Sequence, residues 1–124
     1  MNKIGVDIVN IERISKLNDY AIKRLFNKVE VDKANSITNE KSRVEFLAGR
    51  FAAKEALAKA LGVGFTKLIP SEIVITNLDS GQPEIKIEGK TLDAYPNLEM
   101  QVSISHDYPC AVAVVLVEDL NGKS

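Results

Sequence analysis

Histidine and cysteine each occur once in this 124-residue chain, proline only four times, and tryptophan not at all. A single cysteine, Cys110, excludes an internal disulfide, and its place in an apolar strand pattern suits a buried thiol better than a nucleophile. A single histidine, His106, excludes a zinc centre built on several imidazoles or thiolates. No apolar run approaches the ~20 residues that cross a bilayer. The start, MNKIGVDIV, has a short strand-like run where a signal peptide would carry its apolar stretch. The expectation is a cytoplasmic protein that does not engage a membrane.

What is present is a balanced globular composition, 45% hydrophobic and 27% charged, with a length that predicts a single domain over residues 1–124. The net charge of −1 conceals an asymmetry. Residues 1–61 hold 12 Lys and Arg against 8 Asp and Glu, whereas residues 62–124 hold 4 against 9. Such a modest local excess suits an acidic protein or a phosphate-bearing ligand and argues against nucleic acid, which selects strongly basic domains.

Ile4, Val6 and Ile8 alternate with Gly5, Asp7 and Val9, the period of a half-buried strand. Helical spacing follows at Ile11, Ile14 and Leu17, then at Ile22, Leu25 and Phe26, and predicts two short helices parted near Asn18 and Asp19. Ser36, Thr38 and Asn39 are candidate caps for a long helix that runs to Leu61, where Gly62 is suited to close it in the left-handed conformation. SEIVITN and EIKIEG predict two strands around a turn at Gly81 and Pro83, then a short helix over Lys90 to Tyr95 stopped by Pro96. MQVSIS and CAVAVVLVE predict a final hairpin, central in the sheet. The pattern as a whole is α+β, one long helix packed on an antiparallel sheet.

The long helix carries an anomaly. Val44, Ala48, Phe51 and Ala52 share one face, yet Glu55 and Lys59 fall in the same sector. Two unpaired charges on a core face would cost several kcal/mol. An i, i+4 ion pair is one explanation. Asp7 suggests another, because aspartate is depleted from strand interiors. Two carboxylates, with water and substrate phosphates completing the shell, match what Mg²⁺ prefers, and Lys59 one turn beyond Glu55 would face the same anion.

Arg43, Arg50 and Lys54 project within about 40° of one another on this helix, either a solvated basic stripe or a set of cations for a phosphate-rich ligand. In SISHD, Ser105 and His106 do not read as a hydrolase pair, since adjacent strand residues point to opposite faces and no nucleophile elbow precedes them. They suit hydrogen bonding beside a ligand, with an ordinary turn as the alternative. Asn10 to Lys28 carries Arg13, Lys16, Lys23, Arg24 and Lys28 against Glu12 and Asp19, which is either an exposed charged segment or a docking surface.

Three blocks, IGVDIVNIERI, FLAGRFAAKEALAKALG and SISHDYPCAVAVV, resemble the holo-acyl-carrier-protein synthases, the small bacterial class of 4′-phosphopantetheinyl transferases. The F-x-x-K-E-A-x-x-K core at Phe51 to Lys59 is the most specific part. The resemblance implies the fold of that class, with each subunit equivalent to half of a larger pseudo-symmetric relative. It also implies a homotrimer with substrate sites between subunits. The implied reaction moves phosphopantetheine from coenzyme A to a serine of an acidic acyl carrier protein. On this reading Asp7 and Glu55 bind Mg²⁺, and Asp7, Glu55 and Lys59 are catalytic, with Glu55 or Lys59 as the general base. Arg50, Lys54, Lys59, Gly62, Ser105 and His106 would contact coenzyme A. The basic segment from Arg13 to Lys28 would dock the carrier, with Ile14 and Leu17 gripping one of its helices. A Mg²⁺-dependent nucleotide pyrophosphate hydrolase and a non-catalytic carrier-protein adaptor are the competing readings.

Overall fold

The structure, a computed structural model, describes residues 2–120. Strand β1 (Asn2–Asn10) leads into three short helices, α1 (Ile11–Ser15), α2 (Asp19–Leu25) and α3 (Lys28–Asn35), and then the long α4 (Glu40–Leu61). A tight helical turn at Pro70–Glu72 precedes strands β2 (Ile73–Asn77) and β3 (Pro83–Ile87), helix α5 (Gly89–Ala94), and strands β4 (Leu98–Asp107) and β5 (Cys110–Asp119). Asparagine starts each of the first four helices. The side chains of Asn10, Asn18, Asn27 and Asn39 accept from the backbone N–H of Glu12, Ala21, Val29 and Ser42, which satisfies donors that a helix start leaves unpaired. Gly62, at φ 71°, ends α4. α3 extends the helical region beyond the two helices that the spacing predicts.

All strands pair antiparallel, but in two sheets: β1-β5-β4 and β2-β3. Of the final hairpin, β5 is central and β4 is an edge. α4 packs on the larger sheet through an alanine-rich surface, Ala48, Ala52, Ala53, Ala56 and Ala60, all buried. Gly5 allows β1 to lie directly on this helix, since a Cβ there would sit 2.0 Å from the Ala56 carbonyl oxygen.

That contact decides which face of β1 is inward. Gly5 and Val9 are buried against α4, while Ile4, Val6 and Ile8 point away, 69%, 54% and 66% exposed. The apolar set of β1 therefore lies on the outer side of the sheet. In β5 the same alternation buries Ala111, Ala113, Val115 and Val117 and turns Val114 and Leu116 outward. The register sets Ile4 beside Leu116 and Val6 beside Val114, so one apolar stripe crosses both strands.

α4 is buried almost all round, from Leu47 to Ala60. Glu55 is half-buried and Lys59 exposed, so neither enters the core. Lys54 does. Its ammonium, with no solvent exposure, donates to Glu30 Oε1 at 2.6 Å and to the carbonyls of Pro70 and Ile73 at 2.8 and 2.7 Å. Glu30 in turn accepts from the N–H of Asn27 and of Ile75, both at 2.9 Å. This clasp joins α3, α4 and β2. It also corrects the expected basic stripe: Lys54 and Arg50 are buried, and Arg43 donates to the Ile37 carbonyl.

Candidate functional site

β1 and α4 bring together the three residues that the sequence singles out. Asp7 sits on the inner face of β1, its side chain only 13% exposed, and accepts a hydrogen bond from Lys59 Nζ at 2.8 Å. Glu55 lies one helical turn before Lys59 on the same edge of α4. Partial burial, and then the charge of Asp7, raise the pKa of Glu55, opposed by Lys59 and Arg13. Its carboxylate is therefore near enough to Asp7 to feel repulsion, and α1 delivers Arg13 to the same place. The hydrogen bond to Asp7 raises the pKa of Lys59 and holds it as an ammonium.

Two neighbouring carboxylates, one of them held only by the exposed ammonium of Lys59, are donor chemistry suited to a hard divalent ion. No cluster of three or more His, Cys, Asp or Glu suited to a metal occurs among the described residues. The protein thus supplies two carboxylates, and an ion held here would draw its remaining ligands from water or phosphate, which fits Mg²⁺.

The other expected ligand contacts do not assemble around this pair within one chain. His106 faces α4 near its beginning, with Nδ1 3.6 Å from Glu45 Oε2. Glu45 precedes Glu55 by ten residues, about 15 Å along the helix axis. Ser105 pairs with Val112, which pairs with Ile8, and so lies on the outer face of the sheet. Gly62 caps α4 just beyond Lys59. Arg50 stacks on Phe46, its guanidinium carbon 3.9 Å from the ring centroid, and donates to Asn77. Burial lowers its pKa, while Glu30 raises it. Among the described residues its buried Nε has no hydrogen-bond partner, and Arg50 belongs to the wall of a cavity of about 240 Å³ that Lys33 and Thr76 also line. Lys54, expected at the ligand, is removed from that role because all three of its donors are engaged inside the fold.

Arg13, Lys16, Lys23, Arg24 and Lys28 are all exposed, spread over α1, α2 and the start of α3. Ile14 is not available to a partner, being 5% exposed. Leu17 is half-buried, and Tyr20 and Val29 are large exposed apolar side chains of this region. Sequence reasoning also missed Glu30, Glu45 and Asn77, the partners of Lys54, His106 and Arg50. Only Glu30 had a local signal: Asn27 followed three residues later by glutamate is a capping box.

Residues 3–113 match the family model described as the 4′-phosphopantetheinyl transferase superfamily. The chain is 42% identical over 122 residues to a holo-[acyl-carrier-protein] synthase of Geobacillus, covering 95% of this chain and 97% of that one. A protein of the same name from Clostridium kluyveri is 39% identical over 121 residues, 93% of this chain and 88% of the relative. Among solved structures, the holo-(acyl-carrier-protein) synthase of Bacillus anthracis, in complex with CoA (3′,5′-ADP), superposes with a TM-score of 0.81 at 34% identity and covers 94% of this chain and 96% of its own.

Proposed function

Because the chain belongs to the 4′-phosphopantetheinyl transferase superfamily, in its holo-[acyl-carrier-protein] synthase class, we propose a residue-level account of the reaction of that class. The 4′-phosphopantetheine arm of coenzyme A passes to a serine hydroxyl of an apo acyl carrier protein, and adenosine 3′,5′-bisphosphate leaves. A bond forms between the serine oxygen and the phosphorus that bears pantetheine, and the bond from that phosphorus to the bridging oxygen breaks. Positioning and charge stabilisation carry most of such a transfer. The observation that carries this account is the Asp7 carboxylate meeting Lys59 at 2.8 Å beside Glu55.

Asp7 and Glu55 hold Mg²⁺ in this reading. The ion, when bound, supplies positive charge to the pyrophosphate oxygens. Lys59 swings from Asp7 to those same oxygens as a point charge on a flexible stem. Because Lys59 is held protonated, Glu55 is the group that takes the serine proton. Arg13 and Lys16, with Lys23, Arg24 and Lys28, steer the acidic carrier so that its serine approaches Glu55.

The separation of His106, Ser105 and Arg50 from Asp7 and Glu55 supports a site completed by a neighbouring copy. The outward stripe of Ile4, Val6, Ile8, Val114 and Leu116 supports the same reading, since so large an apolar patch is unusual on a protein that works alone. A homotrimer, as the family resemblance implies, would cover that stripe and bring Arg50, Ser105 and His106 of one subunit to the coenzyme A held by Asp7, Glu55, Lys59 and Gly62 of another. No helix among the described residues is long and apolar enough to cross a membrane, which is consistent with a cytoplasmic enzyme.

The test incubates the protein with coenzyme A, Mg²⁺ and an apo acyl carrier protein and weighs the carrier by mass spectrometry. The expected result is a carrier heavier by one phosphopantetheine with the native protein and unmodified carrier with Glu55→Gln, whose amide is a poor Mg²⁺ ligand. Coenzyme A cleaved with the carrier unmodified would point instead to a hydrolase. Carrier binding without either product would point to an adaptor.

A further inference from the structure

Helix α1 and its C-cap present three charged side chains to solvent, Glu12, Arg13 and Lys16, while Ile11 and Ile14 are buried and fix the helix rotation. Lys16 follows in the right-handed helical conformation as the C-cap, so Glu12 and Lys16 keep helical i, i+4 spacing. Glutamate four residues before lysine is the order that favours an ion pair on a helix. Closing that pair would cancel one of the cations that face the carrier.

Among the described residues, Glu12 is held elsewhere. The Tyr108 hydroxyl, from the turn between β4 and β5, donates to Glu12 Oε1 at 2.9 Å. The Ile11 N–H donates to the Pro109 carbonyl at 2.8 Å, so the same turn also grips the start of the helix. Lys41 of α4 places its ammonium 5.1 Å from the centroid of the Tyr108 ring, which steadies the aromatic side chain by a cation–π contact. Glu12 raises the pKa of the phenol, so it remains a donor at neutral pH.

We infer that Tyr108 is a positioning residue for carrier docking: by holding Glu12 it keeps that acid from Lys16, leaving Lys16 and Arg13 to meet an acidic partner together. The inference rests on the docking role proposed above for these cations. Tyr108 touches neither coenzyme A nor the serine in this scheme. It acts through Glu12 alone.

Tyr108→Phe keeps the ring beneath Lys41 and removes only the hydroxyl. At low ionic strength the expected result is a KM for the apo carrier raised about threefold, with kcat and the KM for coenzyme A unchanged, and a difference that shrinks as salt is added. Adding Glu12→Gln to Tyr108→Phe should restore the native KM, because glutamine cannot pair with Lys16. An unchanged carrier KM in Tyr108→Phe, or a loss that Glu12→Gln fails to rescue, would overturn the inference. Lys16→Glu separates the two levels. If it weakens the carrier and Tyr108→Phe does not, only the role of Tyr108 falls; if Lys16→Glu has no effect, the docking surface falls and takes this inference with it.

Discussion

The ammonium of Lys59 lies 2.8 Å from Oδ1 of Asp7, joining a helix to a strand residue 52 positions earlier. A cation already rests on one carboxylate of the candidate metal pair. In the proposed mechanism a divalent ion would compete with the lysine for Asp7, and release of the lysine would free it for phosphate.

Lys59→Met should consequently bind Mn²⁺ or Mg²⁺ several-fold more tightly, read by titration calorimetry in the absence of coenzyme A, while phosphopantetheine transfer falls by about 10²-fold. Tighter metal with slower transfer is not what general damage to the site would produce. An unchanged metal affinity would remove Asp7 from the metal shell.

Lys54 invites the opposite expectation, a loss of stability. Lys54→Met leaves Glu30 as a buried charge without its cationic partner and removes a donor from the Pro70 and Ile73 carbonyls. The expected cost is about 3–5 kcal/mol, measured by urea unfolding. Pairing it with Glu30→Gln should recover part of that cost. If Lys54→Met instead weakened coenzyme A binding at full stability, the structural role assigned here would be wrong.

Glu72 predicts a pH dependence. Its carboxylate accepts from the Thr91 and Lys90 N–H groups and the Thr91 hydroxyl, and these bonds, the Thr91 N–H foremost, hold its pKa below the ordinary 4.5. A depressed carboxylate contributes stability that is present above the unfolded value and is lost as pH falls through the folded one. Native protein should therefore be more stable than Glu72→Gln at pH 7, and the two should converge on acidification below about 4.5. Curves that stay parallel through that acidic range, with no convergence, would show that the charge on Glu72 contributes nothing.

Val6→Lys probes the outward stripe. If the proposed trimer covers the stripe, a charge amid Ile4, Ile8 and Val114 should yield a monomer by light scattering, with transfer lost and the metal binding proposed for Asp7 and Glu55 retained. A native protein that already runs as a single copy and transfers phosphopantetheine would show that one chain holds a complete site.

Local signals were strong enough to read several elements without the fold. Gly62 marks the end of α4, Ser36, Thr38 and Asn39 bracket its start, alternation marks β1 and β4, and a nearly continuous apolar run marks β5, because caps and local patterns depend on neighbours in the chain. Asp7, Glu55 and Lys59 were legible for a related reason. Charge in a strand interior or on an apolar helix sector is costly, so its presence there announces a partner.

The sequence by itself determined the main elements other than α3, their order and the residues whose charge needed an explanation. Only the tertiary structure decided which face of β1 turns inward, because a period of two fixes alternation but not its sign. Gly5 settles it by letting the backbone of α4 come within contact of the strand, which sends Ile4, Val6 and Ile8 outward. The fate of Lys54 was likewise decided in three dimensions. A lysine beside the candidate catalytic glutamate looks like a ligand contact until Glu30, from a separate helix, meets its ammonium and takes it out of water.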